Sequence, residues 1–62
     1  MSRANKVKFE LRIEAAEKQY DSCLELFGED DTHTLFALGK LSGLLELYYD
    51  IYGYNYEGRP QQ

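Results

Sequence analysis

Apolar residues return along the first half of the chain with a fixed rhythm. Phe9, Ile13, Ala16, Tyr20, Cys23 and Phe27 are spaced 4, 3, 4, 3, 4, the a/d stripe of one helical face. No Gly or Pro interrupts the run from Val7 to Phe27. The pattern therefore predicts a first helix over about 7–27, with the polar residues 1–6 frayed ahead of it. Leu24 widens the stripe, while Leu11, Ala15 and Leu26 form a weaker second one. Glu10, Glu14, Glu17, Lys18, Asp21 and Glu25 fall largely between the stripes and read as a solvated face. Glu14 with Lys18 is a favourable i, i+4 pair, and Glu17 with Asp21 an unfavourable one.

Gly28 stands where a helix-terminating glycine belongs. Asp31 or Thr32 can then cap the start of a second helix, because a short oxygen-bearing side chain satisfies the free N–H groups there. Thr34, Leu38, Leu41, Leu45, Tyr48 and Tyr52 repeat the 4, 3, 4, 3, 4 spacing. A second helix is expected over about 32–52, with Gly53 as its stop. Residues 54–62 read as a flexible tail, since Gly58 and Pro60 do not support regular structure. Two helices joined by so short a connection are antiparallel neighbours. The expectation is an all-α fold, with residues 1–62 as a single helical-hairpin domain.

The second helix carries more apolar surface than one partner can cover. Between Leu35 and Tyr52, 12 of 18 residues are apolar. One stripe faces the first helix, which leaves Ala37, Leu44, Leu47 and Ile51 for something else. A patch of that kind marks an interface, unless it is simply a generous core. Gly39 and Gly43, each costing about 1 kcal/mol against Ala in a helix interior, sit with Ser42 as a small-residue patch where another helix could approach. The expected oligomer interface is Ala37, Gly39, Gly43, Leu44, Leu47 and Ile51. The simplest closed arrangement is a two-fold homodimer, a four-helix bundle.

Composition supports that need. At 62 residues, with 44% hydrophobic and 15% aromatic residues, the chain is too apolar to be disordered. It is also too short to enclose a large core. One cysteine excludes an internal disulfide and a cysteine-based zinc site. The net charge of −4 argues against sequence-independent nucleic-acid binding and against anionic membranes. No apolar run is long enough to span a bilayer, and the polar start is unlike a signal peptide, so the expected location is cytoplasmic.

Candidate chemistry is sparse. Cys23 occupies a core position and reads as a small buried hydrophobe. Asp30, Asp31 and His33 could be read as metal ligands, but helix capping accounts for them more simply. No catalytic residue, metal or cofactor is expected. Charge is uneven: residues 1–12 carry +3 and residues 13–62 carry −7, which offers an acidic patch to a basic partner. Tyr48, Tyr49, Tyr52, Tyr54 and Tyr56 fall within nine residues, and tyrosine is enriched at protein interfaces. The tail could instead pack back on its own hairpin. Glu17, Asp21, Tyr49, Tyr52, Tyr54 and Tyr56 are the expected partner-binding residues.

Two resemblances bear on function. The stretch from Gly28 to Leu44, with Gly28, Asp30, Thr34, Leu35, Leu38 and Leu41 in matching places and Ser42 at an Ala position, resembles a single tetratricopeptide repeat of the kinesin-light-chain type. Gly53-Tyr54-Asn55-Tyr56-Glu57 looks like the Gly-x-Tyr-x-Glu that closes such a helix. The resemblance implies a helical hairpin that binds protein. The chain is also similar in size, acidity and hairpin form to short sporulation phosphatases acting on response-regulator aspartyl phosphates. Of their helix 2 motif only Leu41 survives, and Ser42 replaces the Asp. The combined expectation is a small non-catalytic interaction module, not an enzyme. It would self-associate and bind or inhibit a larger protein, with no direct nucleic-acid or membrane contact. A phosphatase-like regulator and a purely structural assembly subunit are the alternatives.

Overall fold

A computed structural model describes residues 3–56, with side chains from Asn5 onward. Two helices, α1 (Arg3–Phe27) and α2 (Thr32–Tyr52), pack against each other as a hairpin measuring 37 × 19 × 17 Å. No strand occurs among the described residues. Neither helix is long and apolar enough to cross a membrane.

The connection follows from its residues. Gly28 adopts φ +91°, a left-handed conformation that costs glycine little. Its N–H donates to the Leu24 carbonyl at 3.0 Å. Asp31 is the N-cap, with extended backbone (φ −75°, ψ 146°), and its carboxylate accepts the His33 N–H at 2.8 Å. Gly53 closes α2 at φ +81°, donating its N–H to the Tyr49 carbonyl at 2.7 Å.

The α1 end and both α2 ends fall where the spacing puts them. The start of α1 does not: the helix begins at Arg3 rather than near Val7. The reason lies at the other end of the chain. Lys6 donates its Nζ proton to the Tyr54 hydroxyl and lies 5.0 Å from the ring centres of Tyr52 and Tyr54. Partners far away in sequence thus hold the first turns in place.

The buried seam is short. Ile13, Ala16, Ala37 and Tyr48 are its apolar core, with Thr34 buried beside them. Thr34 donates its hydroxyl proton to the Cys23 carbonyl at 3.0 Å, tying the two helices together near the turn. Phe9, Tyr20, Cys23, Leu41, Leu45 and Tyr52 are half-buried around this seam. Phe27, the last residue of the first expected stripe, and Leu38, the second residue of the other, are 49% and 40% exposed. Phe27 stacks on His33 instead, ring centres 4.8 Å apart.

Ala37 corrects one expectation. The spacing puts it on an intermolecular face, yet only 1% of it is exposed, inside its own hairpin. Ala16 and Ala37 are both small and both buried, and small side chains let helix axes come close. The seam therefore runs through Ala37 as well as through Thr34, Leu41 and Tyr48.

Candidate functional site

Helical spacing gives α1 two unlike sides. Glu10, Glu14, Glu17, Asp21 and Glu25 step by three and four along one side, and Lys8, Arg12, Ala15 and Gln19 step likewise along the other. Packing against α2 turns these sides into two flanks of the hairpin, and the structure treats the flanks differently.

The acidic flank is closed by tyrosines. Tyr48, 2% exposed, donates its hydroxyl proton to Glu10 Oε2 at 2.7 Å. Tyr56, half-buried, donates to Glu14 Oε2 at 3.2 Å. The chain after Gly53 therefore folds back over α1. Tyr48 is the hub of a ring cluster, with Phe9 edge-on at 5.5 Å, Tyr52 at 4.6 Å, Tyr54 at 5.9 Å and Tyr56 at 5.5 Å. Such tilted and edge-to-face pairs stabilise beyond their area alone. Burial, and then the bond to Glu10, pushes the Tyr48 phenol well above the usual tyrosine range. Burial and the bond to Glu14 push Tyr56 up to about 12. Tyr54 moves the other way, pulled down by the hydrogen bond from Lys6, and the same bond raises Lys6.

This packing corrects part of the expected binding surface. The carboxylates Glu10, Glu14 and Glu17 are not a solvated face: Glu10 and Glu14 are half-buried and hydrogen-bonded, and Glu17 is only 8% exposed. Tyr52 and Tyr56 are half-buried within the cluster, and Tyr54 is tied to Lys6. The segment 54–56 is part of the hairpin rather than a free tail. The rest of that expected tail, with Gly58 and Pro60, lies outside the described residues. Asp21 and Tyr49 stay on the surface. Tyr49 lines a shallow depression with Leu45, Glu46, Asp50 and Asn55.

Among the described residues the opposite flank has no such cover. A groove of about 300 Å³ runs between the helices, lined by Asn5, Lys8, Phe9, Arg12, Leu44 and Leu47. It continues past Arg12 and Leu44 into a smaller hollow bounded by Ala15, Gln19 and Lys40. Lys8, Arg12 and Lys40 are exposed, and among the described residues they are the charged ones lining this groove. Phe36, Leu47 and Ile51, spaced eleven and four residues apart on the same side of α2, are 71%, 49% and 42% exposed. Of the expected oligomer interface, Leu44, Leu47 and Ile51 belong to this flank.

Gly39 and Gly43 lie on the outer face of α2, at helical spacing from Glu46 and Asp50, with Gly43 also bordering the open flank, seven residues after Phe36 and four before Leu47. A Cβ built on either glycine meets nothing within 4 Å. Close approach inside the hairpin therefore does not account for them.

The remaining candidates carry little chemistry. Asp31 accepts from the His33 N–H and lies 2.8 Å from its Nδ1; the backbone bond is the main reason its carboxyl titrates below the usual range. This is capping geometry. Cys23 is half-buried and its thiol is free. Among the described residues no group of three or more His, Cys, Asp and Glu is placed to hold a metal ion.

Sequence reasoning missed the Tyr48–Glu10 and Tyr56–Glu14 pairs. The signal was present in the spacing: Glu10, Glu14 and Glu17 adjoin the apolar stripe at Phe9, Ile13 and Ala16 rather than opposing it. Comparison with protein-family models, curated proteins and solved structures finds no match for this chain.

Proposed function

We propose that this chain is a small non-catalytic protein-interaction module, a helical hairpin that works by setting its open flank against another protein surface. One observation carries the reading. After the hairpin has formed, Phe36, Leu47 and Ile51 are still 42–71% exposed along one side of α2, beside the groove that holds Phe9 and Leu44. Large apolar side chains left exposed along one side of so small a chain are characteristic of an interface. Fully burying an exposed Leu or Ile contributes roughly 1.5–3 kcal/mol; about half of that remains at Leu47 and Ile51, so an interface with several such residues is needed to offset an association cost of about 4–15 kcal/mol. A second copy of the chain is one candidate cover, giving the four-helix bundle; a larger protein that the module binds or inhibits is the other.

The test is the pair Leu47→Ser and Ile51→Ser, measured by circular dichroism and by sedimentation over a concentration series. Both residues are exposed, so the doubly substituted hairpin should keep its helicity, and whatever association the wild-type chain shows should be lost. A wild type that is monomeric throughout, together with a variant destabilised as severely as by a core truncation, would make this flank part of the chain's own folding. That result would end the interaction reading.

A further inference from the structure

We infer that the open flank docks an acidic amphipathic helix from another protein, in preference to a second copy of this chain. The inference rests on the interaction reading above and adds the chemistry of the partner. Phe9, Leu44 and Leu47 form the apolar floor of the groove, and Lys8, Arg12 and Lys40 stand around it. All three cations are exposed, and among the described residues no acid lines the groove, in a chain whose overall charge is −4. A groove between two helices with an apolar floor and a basic rim accepts a helix that presents an apolar seam between carboxylates.

The same charges disfavour self-pairing. In a two-fold dimer through this flank, the patch meets itself. Lys8, Arg12 and Lys40 would then be set against a surface carrying the same three cations, and like charges brought together across an interface are costly. One head-to-tail arrangement would bring in the acidic side of α1, whose first half is already engaged: Glu10 and Glu14 accept from Tyr48 and Tyr56, and Glu17 is 8% exposed, leaving Asp21 and Glu25 of that side on the surface. The hairpin closes its own acidic flank and leaves the basic one for a partner.

The experiment uses three probes with the full chain: a labelled synthetic helix with a leucine seam flanked by glutamates, the same helix with lysines for glutamates, and vesicles containing phosphatidylserine. Fluorescence anisotropy should show the glutamate helix binding at least about 10-fold more tightly than the lysine helix at low salt, with the preference shrinking as salt screens it. The double variant Arg12→Glu, Lys40→Glu should reverse that preference. Both positions are exposed, and the salt dependence of the unsubstituted chain provides an independent reading if the variant misfolds. Equal binding of both helices would leave the apolar docking reading standing and overturn the charge inference. Binding of neither, with self-association lost in Leu47→Ser, would make a second copy the occupant. Binding to vesicles alone would replace a protein partner with a membrane surface.

Discussion

Replacing Tyr48 with Phe removes one oxygen and leaves the ring in place. The ring is 2% exposed and contacts Phe9, Tyr52, Tyr54 and Tyr56, so Phe keeps most of the packing. What is lost is the 2.7 Å hydrogen bond to Glu10. Hydrogen bonds to charged groups contribute about 1.5–3 kcal/mol. Glu10 is half-buried, and water can take up part of what its carboxylate loses. The lower end applies, about 1.5 kcal/mol. A single core of this size supplies only about 3–5 kcal/mol in all, so the loss is a large share of the stability. For a domain this small, 1 kcal/mol moves Tm by roughly 4–8 °C. Thermal melts followed by circular dichroism should therefore show a drop of about 6–12 °C, with helicity at low temperature unchanged. Glu10→Gln should reproduce part of the drop, and the double variant should be less than additive, because both substitutions remove one bond. A Tyr48→Phe chain that melts at or above the wild-type temperature would refute the reasoning. The hydroxyl would then be held at the flank without net benefit, and closure of the acidic side would rest on ring packing alone.

Three further outcomes are expected. Gly39→Ala and Gly43→Ala should each raise stability by about 1 kcal/mol, since a helix interior favours Ala and the added Cβ meets nothing within 4 Å; urea melts showing a loss would place another surface against that face. Thr34→Val should cost about 1 kcal/mol, because it removes the bond to the Cys23 carbonyl while keeping side-chain volume; amide exchange near the turn should quicken with it. In alkaline titration by tyrosinate absorbance, Tyr54 should ionise below the usual value and Tyr56 near 12, with Tyr48 no earlier. Tyr48 and Tyr56 have raised values in the folded chain, so their contribution is whole below about pH 10 and falls as pH climbs toward 12; a Tm that stays flat across that window would contradict both pairings.

The heptad spacing of Phe9 to Phe27 and of Thr34 to Tyr52 was enough to settle two helices, their antiparallel order and three of their four ends. Gly28, Asp31 and Gly53 act within a turn of their own positions, so their roles could be read without knowing the rest of the fold. Periodicity also placed Leu47 and Ile51 outside the seam, where they remain. It could not choose between faces that differ by a fraction of a turn. Ala37 entered the seam because a small side chain there lets the helices approach, and that depends on what the other helix presents. Glu10 and Glu14 look like solvent-facing acids until Tyr48 and Tyr56 arrive from 38 and 42 residues away. The extra turn of α1 at Arg3 likewise goes with Lys6 meeting Tyr54 across 48 residues. Local pattern determined which residues form helices, because capping and amphipathic spacing are short-range. Only the tertiary structure decided which flank of the hairpin is closed and which stays open, because that choice is made by side chains that meet only after the chain has turned back on itself.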